Sequence, residues 1–136
     1  MLAWHAAARF MTSAGSALFW ALSSLGGDRS IPGEYEPLRS EGAERWVDRD
    51  LLAVGAELRK HVAGFDAFGT RVSLELPPFV DGGKVFSDAD SSLGGHLHRA
   101  IGLGVRGLAS PYVVGYVDFG YGQGRGAVFS GINHPF

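Results

Sequence analysis

Ile101–Ser110 reads IGLGVRGLAS, 111–122 reads PYVVGYVDFGYG, and 126–136 reads GAVFSGINHPF. These three stretches decide the fold class. In the first, Ile101, Leu103 and Val105 oppose Gly102, Gly104 and Arg106. In the second, Val113, Val117 and Phe119 oppose Tyr116 and Asp118, and in the third Val128, Ile132 and Phe136 share one side. A two-residue period puts successive side chains on opposite faces of a strand. Ser110-Pro111 and the run Gly120–Gly124 separate the segments as turns. Strands of about ten residues, apolar on one face and small or polar on the other, are the signature of transmembrane β-barrels.

Working outward, the same pattern recurs. Leu52, Val54, Ala56 and Leu58 oppose Gly55, Glu57, Arg59 and His61 within 51–62. From Thr70, Val72, Leu74 and Leu76 oppose Arg71, Ser73 and Glu75. Pro77-Pro78 then interrupts, because proline has no N–H to give to a ladder, and FVDGGKVF resumes at 79–86. Residues 87–98 are polar and glycine-rich and predict a loop. Leu2–Thr12 alternates less clearly, and its alanines also permit a helix. Residues 13–50 form a long irregular stretch, punctuated by Gly26-Gly27, Pro32-Gly33 and Pro37. The expectation is one all-β domain over 1–136, an antiparallel meander of about six strands: a weaker one near the start and five over 51–136. Glu57, Arg59, Arg71, Glu75, Arg106 and Asp118 would share one surface. A soluble sheet with a charged solvated face alternates in the same way, so alternation alone leaves both readings open.

Composition narrows the classes. A net charge of −2 gives no basic field for nucleic acid. The 21 glycines have no collagen-like period and suit tightly packed β-structure better than helices. Without cysteine there is neither a disulfide framework nor a zinc–thiolate site. No apolar run reaches the roughly eighteen residues of a membrane-spanning helix. The stretch MLAWHAAARFMTSAGSALFWALSSLGG lacks a basic region ahead of its apolar part, and reads as mature sequence rather than a signal peptide.

Catalytic chemistry is not legible. His96 and His98 share a side at i, i+2, but read as solvated loop histidines without a third ligand nearby. Asp88, Asp90 and Ser91 lack calcium-loop spacing. Gly120-Tyr121-Gly122-Gln123-Gly124 lies between two strands, so it predicts a hairpin turn rather than a phosphate cradle. No nucleophile elbow is present. Trp4, Phe10, Phe19 and Trp20 form an aromatic group that suits an interfacial girdle or, as the other reading, plain packing. The reading is therefore of a non-enzymatic protein with no catalytic residues, no metal and no cofactor.

In order along the chain, these segments resemble the C-terminal part of the BamA/TamA family of outer-membrane proteins, the bacterial surface antigen domain. Phe79, Asp81 and Gly83 match the family's FxDxG strand motif. LLAVGAELR at 51–59 is similar to the strand ending in Glu-x-Arg, and GLGVRGLASPYVVGYVDFGYG to the penultimate strand pair with Asp118 in its acidic position. GINHPF is similar to the closing strand. FWALSSLGGDRSIPGEY is similar to the segment leading into a long loop that folds back inside the barrel, which makes 13–50 that loop. The chain departs from the pattern at the loop tip. The expected arginine aligns with Pro32, followed by Gly33, Glu34 and Tyr35, so Arg29 or Arg45 would have to meet Asp81. A plain turn aspartate before Gly82-Gly83 is the other reading of Asp81.

The resemblance implies a location in the bacterial outer membrane and a role in protein insertion or translocation there. The implied partners are outer-membrane lipids, client outer-membrane proteins or assembly-complex subunits, and further strands of the same barrel, with Phe136 as the C-terminal assembly signal. About eight strands is the minimum for a single-chain barrel, and open edges in lipid cost several kcal/mol per unpaired group. The expectation is therefore a C-terminal fragment whose remaining strands lie in missing upstream sequence. The alternatives are the barrel anchor of a lipase-like fusion protein and a small soluble β-sandwich that binds a partner.

Overall fold

The computed structural model describes residues 1–11, 21–30, 35–67, 69–87, 96–109 and 113–132, with Tyr35 and Val113 described in their backbone only. Within them the protein is all-β. The strands are β1 (Leu2–Arg9), β2 (Ser23–Leu25), β3 (Tyr35–Glu36), β4 (Trp46–Asp48), β5 (Asp50–Leu58), β6 (His61–Ala67), β7 (Thr70–Glu75), β8 (Pro78–Phe86), β9 (His98–Ala109), β10 (Val113–Gly122) and β11 (Arg125–Ile132). The main sheet is antiparallel in the order β1-β5-β8-β9-β10-β11, with β6 on β7 and β7 also on β9. Among the described residues it does not close on itself: β1 and β11 end its main path, and β6 has β7 alone as a neighbouring strand.

Register joins several of these strands into longer runs. Glu57 pairs with Phe79, and His61 with Glu75. β5–β6 and β7–β8 are thus the two arms of one long hairpin, irregular between His61 and Ala63. Glu75 pairs with Arg106 and Pro78 with Leu103, so β7 and β8 also meet β9 on one register. The expected break at Pro77-Pro78 is bridged. Pro77 lacks an N–H, but its carbonyl accepts a bond from the Gly104 N–H at 2.8 Å. The alternation read from the sequence therefore becomes six long runs in meander order. The β10–β11 turn is tight: Gln123 and Gly124 both have positive φ (50° and 79°), as a two-residue hairpin turn of the primed type requires.

Residues 13–50 are not simply irregular, as the sequence suggested. β2 pairs in parallel with β3 and antiparallel with β4, and a bridge joins Gly27 to Leu38. These strands are two or three residues long, too short to show a period. This small sheet packs on one face of the main sheet, here called inner, against β5 and β8. Leu25 and Leu38 join Leu51, Ala53 and Ala100 in a buried cluster, flanked by Trp46 and Val85.

The two faces of the main sheet differ in chemistry. Glu57, Asp81, Arg106 and Asp118 are buried on the inner face. Leu2, Trp4, Val54, Leu58, Val80, Ile101, Leu103, Val105, Phe119, Val128 and Ile132 are exposed on the outer one. Val72 pairs with Ala109 and Leu74 with Gly107, which puts them on the outer face with Ile101 and Leu103. The expected register of these strands therefore stands.

Candidate functional site

The inner face carries one group of buried charges. The two-residue period directs Glu57 from β5, Phe79 and Asp81 from β8, Arg106 from β9 and Asp118 from β10 to the same side. Ladder pairing brings them level: Glu57 faces Phe79, Gly55 faces Asp81, and Gly104 faces Asp118. The centre of the group comes from the segment across the inner face. Leu38 donates its N–H to the Gly27 carbonyl at 3.1 Å, and the Ser40 and Glu41 N–H groups return to the Leu38 carbonyl at 2.8 and 3.1 Å. This turn projects Arg39 onto the sheet.

Arg39 donates from all three guanidinium nitrogens and from its backbone N–H. Nε and Nη2 donate to Asp81 Oδ2 and Oδ1, both at 2.9 Å, and the Arg39 backbone N–H reaches Oδ2 at 3.1 Å. Nη1 donates to Glu57 Oε2 at 3.0 Å and to Asp118 Oδ2 at 3.1 Å. The guanidinium lies 3.5 Å from the centroid of the Phe79 ring. Planar, forked geometry is what allows arginine to make these contacts together. Glu57 is also held by Arg106 through Nη1 and Nη2, and by Arg59 Nε at 2.8 Å. Arg39, Arg59 and Arg106 thus balance Glu57, Asp81 and Asp118. Burial alone would lower the Arg39 pKa. The bonds and charges of Asp81, with those of Glu57 and Asp118, outweigh it and hold the group above its ordinary value.

Two glycines make room for this arrangement. A Cβ at Gly120 would collide with the Arg39 carbonyl. A Cβ at Gly102 would enter the Phe79 ring. The inward segment is also tied down elsewhere: the Tyr116 hydroxyl donates to Asp28 Oδ2 at 2.5 Å, and Ser23 Oγ to the Arg49 carbonyl at 3.0 Å.

The residues singled out in the sequence fall as follows. Phe79 and Asp81 lie at the centre of the cluster. Gly83 is on the same face of β8 but packs under Leu25, away from the charges. Arg29 does not reach Asp81; it is exposed and interacts with Tyr116. Arg45 does not reach it either, pairing with Glu41 at 3.6 Å and lying 5.1 Å from the Trp46 ring centroid. Tyr35 pairs with Ser24 through its backbone. Gly33, Phe136, Phe19 and Trp20 lie outside the described residues.

Arg39 is the residue that sequence reasoning missed. Its sequence separations from Glu57, Asp81 and Asp118 are 18, 42 and 79, so no local spacing reveals it. A charge count calls for a further cation, because Glu57, Asp81 and Asp118 outnumber Arg59 and Arg106, but it does not choose Arg39 over Arg29, Arg45 or Arg49. His98 is also placed differently from expectation. It is a buried member of β9, stacked on Trp46 at 3.9 Å, with Nδ1 against Gln123. No family model, curated protein or solved structure matches the chain.

Proposed function

We propose that the protein is the C-terminal barrel segment of an outer-membrane insertion or translocation factor of the BamA/TamA type, acting without enzymatic chemistry. The observation that carries this reading is the contrast between the two faces of the main sheet. The charges at its centre, Glu57, Asp81, Arg106 and Asp118, are buried and neutralised around Arg39, while Val54, Leu58, Val80, Ile101, Leu103 and Val128 face outward exposed. A protein in water gains by burying apolar surface and exposing charge. The reverse arrangement is favourable where the outer face meets hydrocarbon.

In this reading the inward segment is seated in the lumen, and Arg39 on Asp81 is its anchor. β1 joins further strands of the barrel, and β11 is one edge of a weakly paired seam. An edge strand offers unpaired N–H and C=O groups, so a client strand can add there by β-augmentation, with main-chain bonds supplying the affinity. Lipids contact the outer face throughout.

The test is folding in the presence and absence of detergent. The expected outcome is a chain that does not fold in detergent-free buffer and gains β-structure only in micelles or bilayers. A monodisperse, folded monomer in detergent-free buffer would overturn the reading in favour of a soluble β-sandwich module. Fusion to a lipase-like domain would leave the barrel in place and change only what it anchors.

A further inference from the structure

We propose that Tyr116 couples the inward segment to the last strand, β11, and so acts as a positioning residue for the seam. β11 ends the main path of the sheet, with β10 as its neighbouring strand. Tyr116 pairs with Arg106 on one side and with Gly131 of β11 on the other, so its side chain points inward as Arg106 does. The ring does not stay over its own strand. An ideal Cβ at Gly131 lies 2.8 Å from Tyr116 Oη, 2.9 Å from Cε1 and 3.0 Å from Cζ. The ring therefore lies across β11, in the space that glycine leaves. Tyr116 is 4% exposed, and its hydroxyl donates to Asp28 Oδ2 on the inward segment. Arg29, also on that segment, bonds to the same hydroxyl. The segment thus holds the ring where it crosses the neighbouring strand.

Asp28 belongs to the part of the segment that positions Arg39. The Gly27 N–H donates to the Glu41 carbonyl at 3.0 Å, and the Gly27 carbonyl accepts from the Leu38 N–H at 3.1 Å. These bonds tie Gly27 to the backbone on both sides of Arg39. A continuous run of contacts therefore leads from the Arg39 turn through Asp28 and Tyr116 to Gly131. With the segment seated, the ring is fixed over the inner side of β11 near the end of that strand. With the segment displaced, Tyr116 loses its acceptor, and that end of β11 loses the ring's cover and keeps its ladder bonds to β10. The linkage is reciprocal, as an equilibrium coupling between two sites must be: a β11 that rejects the ring loosens the segment. The coupling is read from the fold. Its consequence, that seating of the segment governs how readily a client strand displaces β11, rests on the seam reading proposed above.

The test is amide hydrogen exchange of the full chain in whichever medium folds it, micelles or buffer, so that a failure of the outer-membrane reading leaves the measurement intact. Tyr116→Phe removes only the hydroxyl. It lowers protection of the 129–132 amides about three- to ten-fold, the effect of one lost hydrogen bond on local opening, while β5 and β8 keep theirs. Asp28→Ala has the same effect from the segment side, and the double variant adds little to either. Gly131→Ala pushes the ring aside and raises exchange of the Gly26 and Gly27 amides, which donate to the Glu36 and Glu41 carbonyls on the segment. Three results would overturn the proposal: unchanged protection of 129–132 in Tyr116→Phe and Asp28→Ala, a fall of equal size across β5 and β8, or Gly26 and Gly27 amides that exchange in Gly131→Ala as in the wild-type chain.

Discussion

Arg39 grips Asp81 with two parallel bonds, Nε to Oδ2 and Nη2 to Oδ1, each 2.9 Å long, and both side chains are fully shielded from solvent. The pair joins the segment lying across the sheet to the strand that carries Phe79. Its strength depends on its surroundings. Glu57 and Asp118 take the Nη1 bonds, so removing Arg39 strips Asp81 of its guanidinium partner and takes one bond each from Glu57, which keeps Arg59 and Arg106, and from Asp118, which keeps Arg106 at 3.8 Å.

Arg39→Ala is therefore expected to destabilise the fold by about 3–5 kcal/mol, the cost of leaving buried charge uncompensated. Arg39→Lys recovers little of this, because a point ammonium does not reproduce the fork. Denaturant midpoints in micelles, followed by fluorescence, measure both.

The pair also predicts non-additivity. Combining Arg39→Ala with Asp81→Ala should cost less than the sum of the single losses by about 0.5–3 kcal/mol, as contacting residues do. A double-mutant cycle gives the value directly.

Gly120→Ala is expected to unseat the inward segment, because the added methyl collides with the Arg39 carbonyl rather than with a movable side chain. The expected penalty is about 1–3 kcal/mol, with new protease cleavage in 21–49. Gly107→Ala is the matched control: nothing lies within 4 Å of its Cβ position, so it is expected to be tolerated.

Leu103→Arg separates the two environments open to the outer face. Facing hydrocarbon at mid-depth, the substitution costs about 2–4 kcal/mol. On a solvated surface it stays within about 0.5 kcal/mol of neutral. Equilibrium refolding into bilayers, compared with the wild-type chain, decides between them.

Much of the main sheet was legible in the sequence because its information is local. Ile101, Leu103 and Val105 alternate with Gly102, Gly104 and Arg106, and each pairing partner repeats the period, so face and register follow from spacing alone. The bridged Pro77 and the small sheet of β2, β3 and β4 were not legible. Strands of two or three residues carry no period, and the Pro77 carbonyl finds Gly104 only once β9 is in place. The site was half legible. Phe79 and Asp81 stand in a motif, whereas Arg39 stands in a loop among other arginines, Arg29, Arg45 and Arg49, and only three-dimensional charge balance selects it. Arg29 and Arg45 were reasonable choices by position, but their nearest partners, Tyr116 and Glu41, lie away from Asp81.

The central claim is that the outer face meets lipid, and Trp4 reports on it most directly. Trp4 is 71% exposed on the outer side of β1. A Trp20→Phe, Trp46→Phe variant leaves Trp4 as the single tryptophan, reconstituted into vesicles of lipids with brominated acyl chains. The account predicts strong quenching of Trp4 by the bromines and little by aqueous iodide. Quenching by iodide with none from the brominated chains would contradict it.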